Sequence, residues 1–232
     1  LQLDFMSSLT KNFETIRKQL ASHPVTLVAV SKTQSLDQIE ELYHLGQRDF
    51  GENYVQELCE KAIALEQKGL RDVRWHFIGH LQTNKIKILL RHVAVVHTVD
   101  SMRLATELAK RWPEVRPASG CRLPVFIEVN LDHEPEKYGL HPERVLELVN
   151  HILQLPALEL QGLMCIPKAD QDPRPSFIRL RQLLGIMPGL SRNQLSMGMS
   201  NDYLKAAEEG ATHVRIGSSL FGARVRSKTE LK

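Results

Sequence analysis

The chain has 232 residues, 42% of them apolar and 25% charged, and its 30 Lys+Arg against 27 Asp+Glu leave a net charge of +3 with histidine neutral. That length is enough for one large domain with a substantial core, and no apolar run nears the roughly 18 residues of a membrane span. So small and interleaved a charge excess gives no nucleic-acid footprint, and none is expected as a partner.

The elements alternate along the chain. An amphipathic helix over Asn12–Leu20 precedes the first β-branched run, Val25–Val30, which exits through Ser31-Lys32-Thr33. A helix over Ser35–His44 stops near Gly46. The second run, Arg48–Phe50, exits through Gly51-Glu52-Asn53-Tyr54 into a helix over Asn53–Gln67 that stops near Gly69. Arg74–Ile78 exits through Gly79-His80-Leu81-Gln82. Val93–Val99 leads to a helix over Ser101–Arg111, and Trp112–Leu123, with two prolines and a glycine, reads as a connector. Pro124–Val129 exits through Asn130 toward Lys137-Tyr138-Gly139 and a helix over His141–Leu153. Leu158–Met164 runs into Cys165-Ile166-Pro167. Gln194–Met197 exits through Gly198-Met199-Ser200-Asn201-Asp202 into a helix over Asn201–Glu209, and His213–Ile216 ends at Gly217-Ser218-Ser219. Serines, asparagines or aspartates before the helices and glycines after them are start and stop signals.

Eight strands alternating with helices predict a single (β/α)8 TIM barrel spanning residues 1–232, with an extra helical region over residues 1–22. A doubly wound open sheet is the alternative, because a strand count does not establish closure. Leu1–Thr10 lacks a basic segment before an apolar one, so no secretory leader is expected. Cys59, Cys121 and Cys165 form no CxxC pair and fit free thiols in a reducing, cytoplasmic setting. The ten histidines form neither HExxH nor a close Cys/His cluster, so no metal site is expected.

In such a barrel the chemistry sits at the C-terminal strand ends, with phosphate held after the seventh and eighth strands. Lys32 shares parity with Val28 and Val30 and so can point into the mouth. A partly desolvated ammonium there loses its proton more readily, and a neutral amine condenses with carbonyls. Gly217-Ser218 and Gly198-Met199-Ser200 are small-residue turns offering N–H and hydroxyl donors to an anion. Arg215 lies inside a strand with inward parity and needs an acceptor, either a ligand or an inward acid such as Glu128.

Val28-Ala29-Val30-Ser31-Lys32-Thr33, Phe50-Gly51-Glu52-Asn53-Tyr54-Val55-Gln56-Glu57 and Trp75-His76-Phe77-Ile78-Gly79-His80-Leu81-Gln82-Thr83-Asn84-Lys85 resemble the pyridoxal phosphate homeostasis family. So do Gly162-Leu163-Met164-Cys165-Ile166-Pro167, Leu195-Ser196-Met197-Gly198-Met199-Ser200 with Asp202, and Arg215-Ile216-Gly217-Ser218 with Phe221-Gly222, in order from about Asn12 to Arg224. The resemblance implies the fold-type III barrel of alanine racemase without its C-terminal β-domain. It implies pyridoxal 5′-phosphate (PLP) as a Schiff base on Lys32, its phosphate on Ser200, Gly217 and Ser218 with the Met199 backbone nearby, Arg215 at the pyridine nitrogen and Asn53 near the ring. Ser35 stands where the family commonly has proline, and Ser218 where many members have threonine, with the hydroxyl retained.

The functional expectation is a monomeric PLP carrier or buffer in cofactor homeostasis, influencing amino- and keto-acid balance, with no catalytic residue assigned. Apo PLP enzymes are the expected recipients, and Lys137 is a candidate for receiving cofactor in transit. A small amino-acid racemase and a regulatory protein sensing PLP occupancy are the alternatives. A racemase needs an acid/base on each ring face, and Tyr54 or Tyr138 would have to supply the second.

Overall fold

The computed structural model describes residues 6–116, 120–187, 189 and 193–222. Eight parallel strands pair in chain order: β1 (Thr26–Val30), β2 (Asp49–Glu52), β3 (Arg74–Phe77), β4 (Val93–Val99), β5 (Leu123–Val129), β6 (Leu158–Cys165), β7 (Gln194–Ser196) and β8 (His213–Ile216). β8 closes on β1, with Thr26 opposite His213 and Ala29 opposite Ile216, so the sheet is a barrel and the open-sheet alternative is excluded.

The α-helices among the described residues are α1 (Ser8–Leu20), before β1, then α2 (Leu36–His44), α3 (Val55–Gln67), α4 (Ile86–Leu89), α5 (Met102–Val115), α6 (Val145–Leu153), α7 (Arg174–Gly185) and α8 (Tyr203–Glu208) between strands, and α9 (Ser218–Phe221) after β8. Ser7, Ser35 and Ser101 cap α1, α2 and α5, and Ser35 forms a reciprocal capping box with Gln38. The helices turn apolar faces inward: Leu58, Ala62 and Leu65 from α3, and Val145, Leu148, Val149 and Ile152 from α6. Burying each large aliphatic side chain there is worth about 1.5–3 kcal/mol. α1 packs on α2 and α9 and spans the closing seam, where Asn12 Nδ2 donates to the Leu220 carbonyl at 3.0 Å.

Several elements differ from the sequence pattern, among them α4, a single turn where no helix was expected. α5 continues through Trp112 and Pro113 to Val115, because Pro113 falls in its last turn and the Trp112 indole is buried, donating to the Cys121 carbonyl at 2.6 Å. Only the residues after Val115 are connector, and residues 117–119 of it lie outside the described residues. α7 begins at an arginine after Pro173 with no side-chain cap, so it lacked the start signals that marked the others.

The barrel interior is polar. His76, His97, Ser196 and Arg215 are all buried inside it, with Phe126 stacked on His97 (centroids 4.5 Å apart) and edge-on to His213 at 5.2 Å. The histidines are therefore less scattered than expected. A separate exposed trio, His133, His141 and Glu143, also comes together in the segment after β5, with its ligand-capable atoms within 4.8 Å of one another. No helix among the described residues is long and apolar enough to cross a membrane.

Candidate functional site

At the C-terminal ends of the strands lies a cleft of about 680 Å³. Lys32, Asn53, Met199, Ser200, Arg215, Gly217 and Ser218 all line it, and so does Lys137. A second cavity of about 770 Å³ opens at the opposite end, beside Trp75, Val93, Trp112 and Pro124, and holds none of the residues expected to bind the cofactor.

The loop carrying Lys32 is fixed from beneath. Lys61 of α3, itself buried, donates to the Ser31 carbonyl (2.6 Å), Glu52 Oε1 (2.8 Å) and Glu57 Oε1 (2.7 Å). Ser31 Oγ donates to Glu52 at 2.7 Å, and Glu57 accepts the N–H of Thr33, which sits at φ +65°. This network pins the residues on either side of Lys32. Burial lifts the Glu52 carboxyl above its ordinary range despite the opposing pull of Lys61 and Ser31. No motif announced this support, although a lysine in the apolar stripe of α3 is a detectable signal.

Asn53 follows β2 where β3 passes close beneath. A Cβ at Gly79 would lie 1.9 Å from the Asn53 carbonyl oxygen, so only glycine permits the approach. The Asn53 Oδ1 is buried with no hydrogen-bond partner among the described residues, as is Glu52 Oε2. An unmet buried acceptor costs about 1–3 kcal/mol, and a ligand donor in the cleft is the kind of group that satisfies one.

The turns after β7 and β8 meet. Ser200 Oγ accepts from the N–H groups of Gly217 (3.2 Å) and Ser219 (3.3 Å), and Ser219 Oγ donates back to the Ser200 carbonyl at 3.0 Å. The Ser200 hydroxyl thus occupies the place of an anionic oxygen before two converging donors. Gly198 shapes the turn at φ +92°, where a Cβ would fall 2.5 Å from that of Ala206. The Met199 N–H, by contrast, is taken by Asp202 Oδ1 at 2.5 Å.

Arg215 forms the floor. Its Nη1 donates to Ser196 Oγ (2.7 Å) and its Nη2 to the Cys165 carbonyl (2.9 Å), so its structural partners are these and not an ion pair with Glu128. Burial raises the Glu128 carboxyl to about 7, reinforced by the Asp100 charge and opposed by Arg215. Burial also pushes the Cys165 thiol up to about 12, leaving an inert neighbour. Lys137 donates to the Pro167 carbonyl at 3.1 Å and pairs with Glu134 at 2.6 Å.

Sequence reading missed the charge of this mouth. The lining carries Lys32, Lys137, Lys168, Lys205 and Arg215 against Asp170 and Asp202, five basic groups to two acidic ones. A nearly neutral chain therefore gathers an anion-attracting potential at one end of its barrel. Tyr54 and Tyr138 are both largely exposed outside the cleft, Tyr138 stacked on His80 with centroids 3.9 Å apart.

The groups present fit a phosphorylated, aldehyde-bearing aromatic ring such as PLP: paired N–H donors for the phosphate, an amine, an unmet amide-oxygen acceptor and a floor guanidinium. The closed barrel and this mouth define a protein of the alanine racemase type, and the family model described as "Alanine racemase, N-terminal domain" matches residues 6–225. Curated relatives narrow the placement. The "Pyridoxal phosphate homeostasis protein" of Escherichia coli K12 is 37% identical over 96% of this chain and all of its own length, and that of Homo sapiens 43% identical over 87% of this chain and 78% of its own. The chain belongs to the pyridoxal phosphate homeostasis protein family. A solved structure of PipY from Synechococcus elongatus with PLP bound superposes with a TM-score of 0.82 at 33% identity, covering 93% of this chain and all of that one. An arginine decarboxylase of Paramecium bursaria Chlorella virus, at 14% identity and TM-score 0.70, shares the fold alone.

Proposed function

We propose that this chain binds PLP at the barrel mouth and acts in intracellular PLP homeostasis as a carrier or buffer of the cofactor, without turnover of its own. The reading rests on one convergence: Lys32 at the end of β1 and the donor turns after β7 and β8 line the same cleft, floored by Arg215. PLP held there would supply an aldehyde able to condense with the Lys32 amine, and a conjugated ring able to accept electrons. Ser200, Gly217 and Ser218 would hold the phosphate in place of the present bonds to the Ser200 hydroxyl, and Asn53 would lie beside the ring.

One observation and one consequence of the proposed pose favour a carrier over a racemase. In that pose the Arg215 guanidinium would face the ring nitrogen and disfavour a second positive charge there, which would weaken the ring as an electron sink. None of the four tyrosines is among the residues lining the cleft, so no phenol opposes Lys32 across it. The barrel acts as one PLP-binding domain, as a monomer in the cytoplasm, and gives its cofactor to apo PLP enzymes, with Lys137 at the rim as a relay point.

The test is the visible spectrum of purified protein incubated with PLP. The wild type should show a band that borohydride bleaches into a covalent adduct on Lys32, and Lys32→Ala should lack it. No band in the wild type overturns cofactor binding. Multiple-turnover racemase or transaminase activity lost in Lys32→Ala overturns the carrier reading, and unimpaired transfer from Lys137→Ala to an apo-enzyme removes Lys137 from it.

A further inference from the structure

The hydrogen bonds inside the barrel run in one direction. Arg215 carries only donors, so its Nη1 donates to Ser196 Oγ at 2.7 Å. Ser196 is fully buried, and the only other partner of its hydroxyl among the described residues is His97 Nδ1 at 2.8 Å. A buried hydroxyl hydrogen needs an acceptor, so it goes to His97 Nδ1. The His97 proton must then sit on Nε2, which lies 2.8 Å from His76 Nδ1. His76 accepts there and donates from its own Nε2 to Asp49 Oδ1 at 3.0 Å. Asp49, ion-paired with Arg74, ends the chain as its carboxylate.

Five residues on β8, β7, β4, β3 and β2 thus connect the mouth of the barrel to its base. Each link in such a chain polarises the next. The pattern places a positive charge at the cleft and a negative one at the base, with neutral imidazoles between them. A second hold, the Cys165 carbonyl, fixes the other side of the guanidinium.

We propose that Ser196, His97, His76 and Asp49 are positioning residues for Arg215, a one-way donor relay that fixes the orientation in which its guanidinium meets a ring-nitrogen acceptor. The relay stands on the ligand-free geometry, and only the identity of its target rests on the PLP reading. Its predicted effect is selective, because a ligand lacking the ring nitrogen has nothing for Arg215 to meet.

The first test needs no cofactor. Imidazole ¹⁵N NMR at pH 7 should show His76 and His97 both neutral with the proton on Nε2, and Arg215 should show separate Nη resonances because its rotation is hindered. A proton on Nδ1 of either histidine, or an imidazolium at His76, overturns the relay. In Ser196→Ala exchange between the Nη resonances should quicken, because the Cys165 carbonyl alone then holds the group, and in Ser196→Thr, which restores the hydroxyl, it should stay as slow as in the wild type. An exchange rate unchanged in Ser196→Ala likewise overturns it.

The second test compares the Kd of PLP with that of its analogue bearing C–H in place of the ring nitrogen. Ser196→Ala should weaken PLP about tenfold, the scale of one hydrogen bond to a charged group, and change the analogue less than twofold. Equal weakening of both identifies a general structural defect and overturns positioning. A wild type that binds neither ligand sinks the PLP reading instead, and the NMR outcomes still decide the relay.

Discussion

Replacing Glu128 by glutamine should stabilise the protein, and only at higher pH. The carboxyl is buried on β5 and lifted from 4.5 to about 7, by burial first and by Asp100 second, with Arg215 too weakly placed to reverse it. Below pH 4.5 the group is protonated in folded and unfolded chains alike, so it costs nothing. Between 4.5 and about 7 the unfolded chain gives up its proton while the folded one keeps it, and stability is lost progressively. At 1.36 kcal/mol per pH unit the loss at pH 8 is about 3 kcal/mol. Glutamine mimics the neutral acid in shape and does not titrate. Urea unfolding of ligand-free wild type and Glu128→Gln should therefore give equal free energies at pH 4, diverging to about 3 kcal/mol in favour of glutamine at pH 8. A difference that stays flat with pH refutes the buried-neutral-acid argument. A difference of opposite slope would mean an ionised Glu128 paired with Arg215, the ion pair that inward parity alone suggested.

Three other substitutions test separate parts of the site. Lys61→Met strands Glu52 and Glu57 and should cost about 3–5 kcal/mol in denaturant unfolding, with part of the loss recovered in Lys61→Met/Glu52→Gln; full stability in the single variant would show that the network under Lys32 does not hold its loop. Gly198→Ala meets both strain at φ +92° and a 2.5 Å clash with Ala206, whereas Gly69→Ala has φ +84° and nothing within 4 Å. The first should cost clearly more than the ~1 kcal/mol of the second and should weaken inorganic phosphate binding; equal costs refute the close-packing argument. Asp49 is pushed up by burial but held at about 2 by the hydrogen bonds and charges of His76 and Arg74. Its stabilisation of about 2 kcal/mol is present above its ordinary 3.8 and fades as pH falls toward 2, so Asp49→Asn should be less stable than wild type at pH 6 and its equal near pH 2, by thermal or urea unfolding.

What could be read from sequence was whatever repeats locally. β-branched runs and serine caps marked the strands and most helices, and parity along β1 and β8 put Lys32 and Arg215 at the mouth. Closure could not be read, because it depends on the pairing of residues 26–29 with 213–216 across nearly the whole chain. α7 was missed because its arginines and Pro173 obscure both period and cap. The polar interior was missed for another reason. His76, His97, Ser196 and Arg215 are each ordinary in their own strands, and only the barrel's diagonal brings them into contact. A polar residue at the inward parity of a buried strand was the available signal. It was used for Arg215 and applied equally to the other three.

The distribution of polar groups bears on exchange. At the floor, Arg215 is held by two acceptors and by a chain reaching the base of the barrel, so its orientation is set before any ligand arrives, and the ordering cost falls on folding instead of binding. At the rim, Lys137 is held by a part-exposed pair with Glu134 at 2.6 Å and a bond to the Pro167 carbonyl at 3.1 Å, and Lys205 by an exposed pair with Asp172 at 3.2 Å. Pairs of that kind are worth less than about 1 kcal/mol each and are readily screened, so these lysines can leave a carboxylate for a phosphate and return at little cost. Discrimination then resides in the part of the site that does not move, and capture and release in the part that moves cheaply. That division suits the proposed role, in which a cofactor is held selectively and still surrendered.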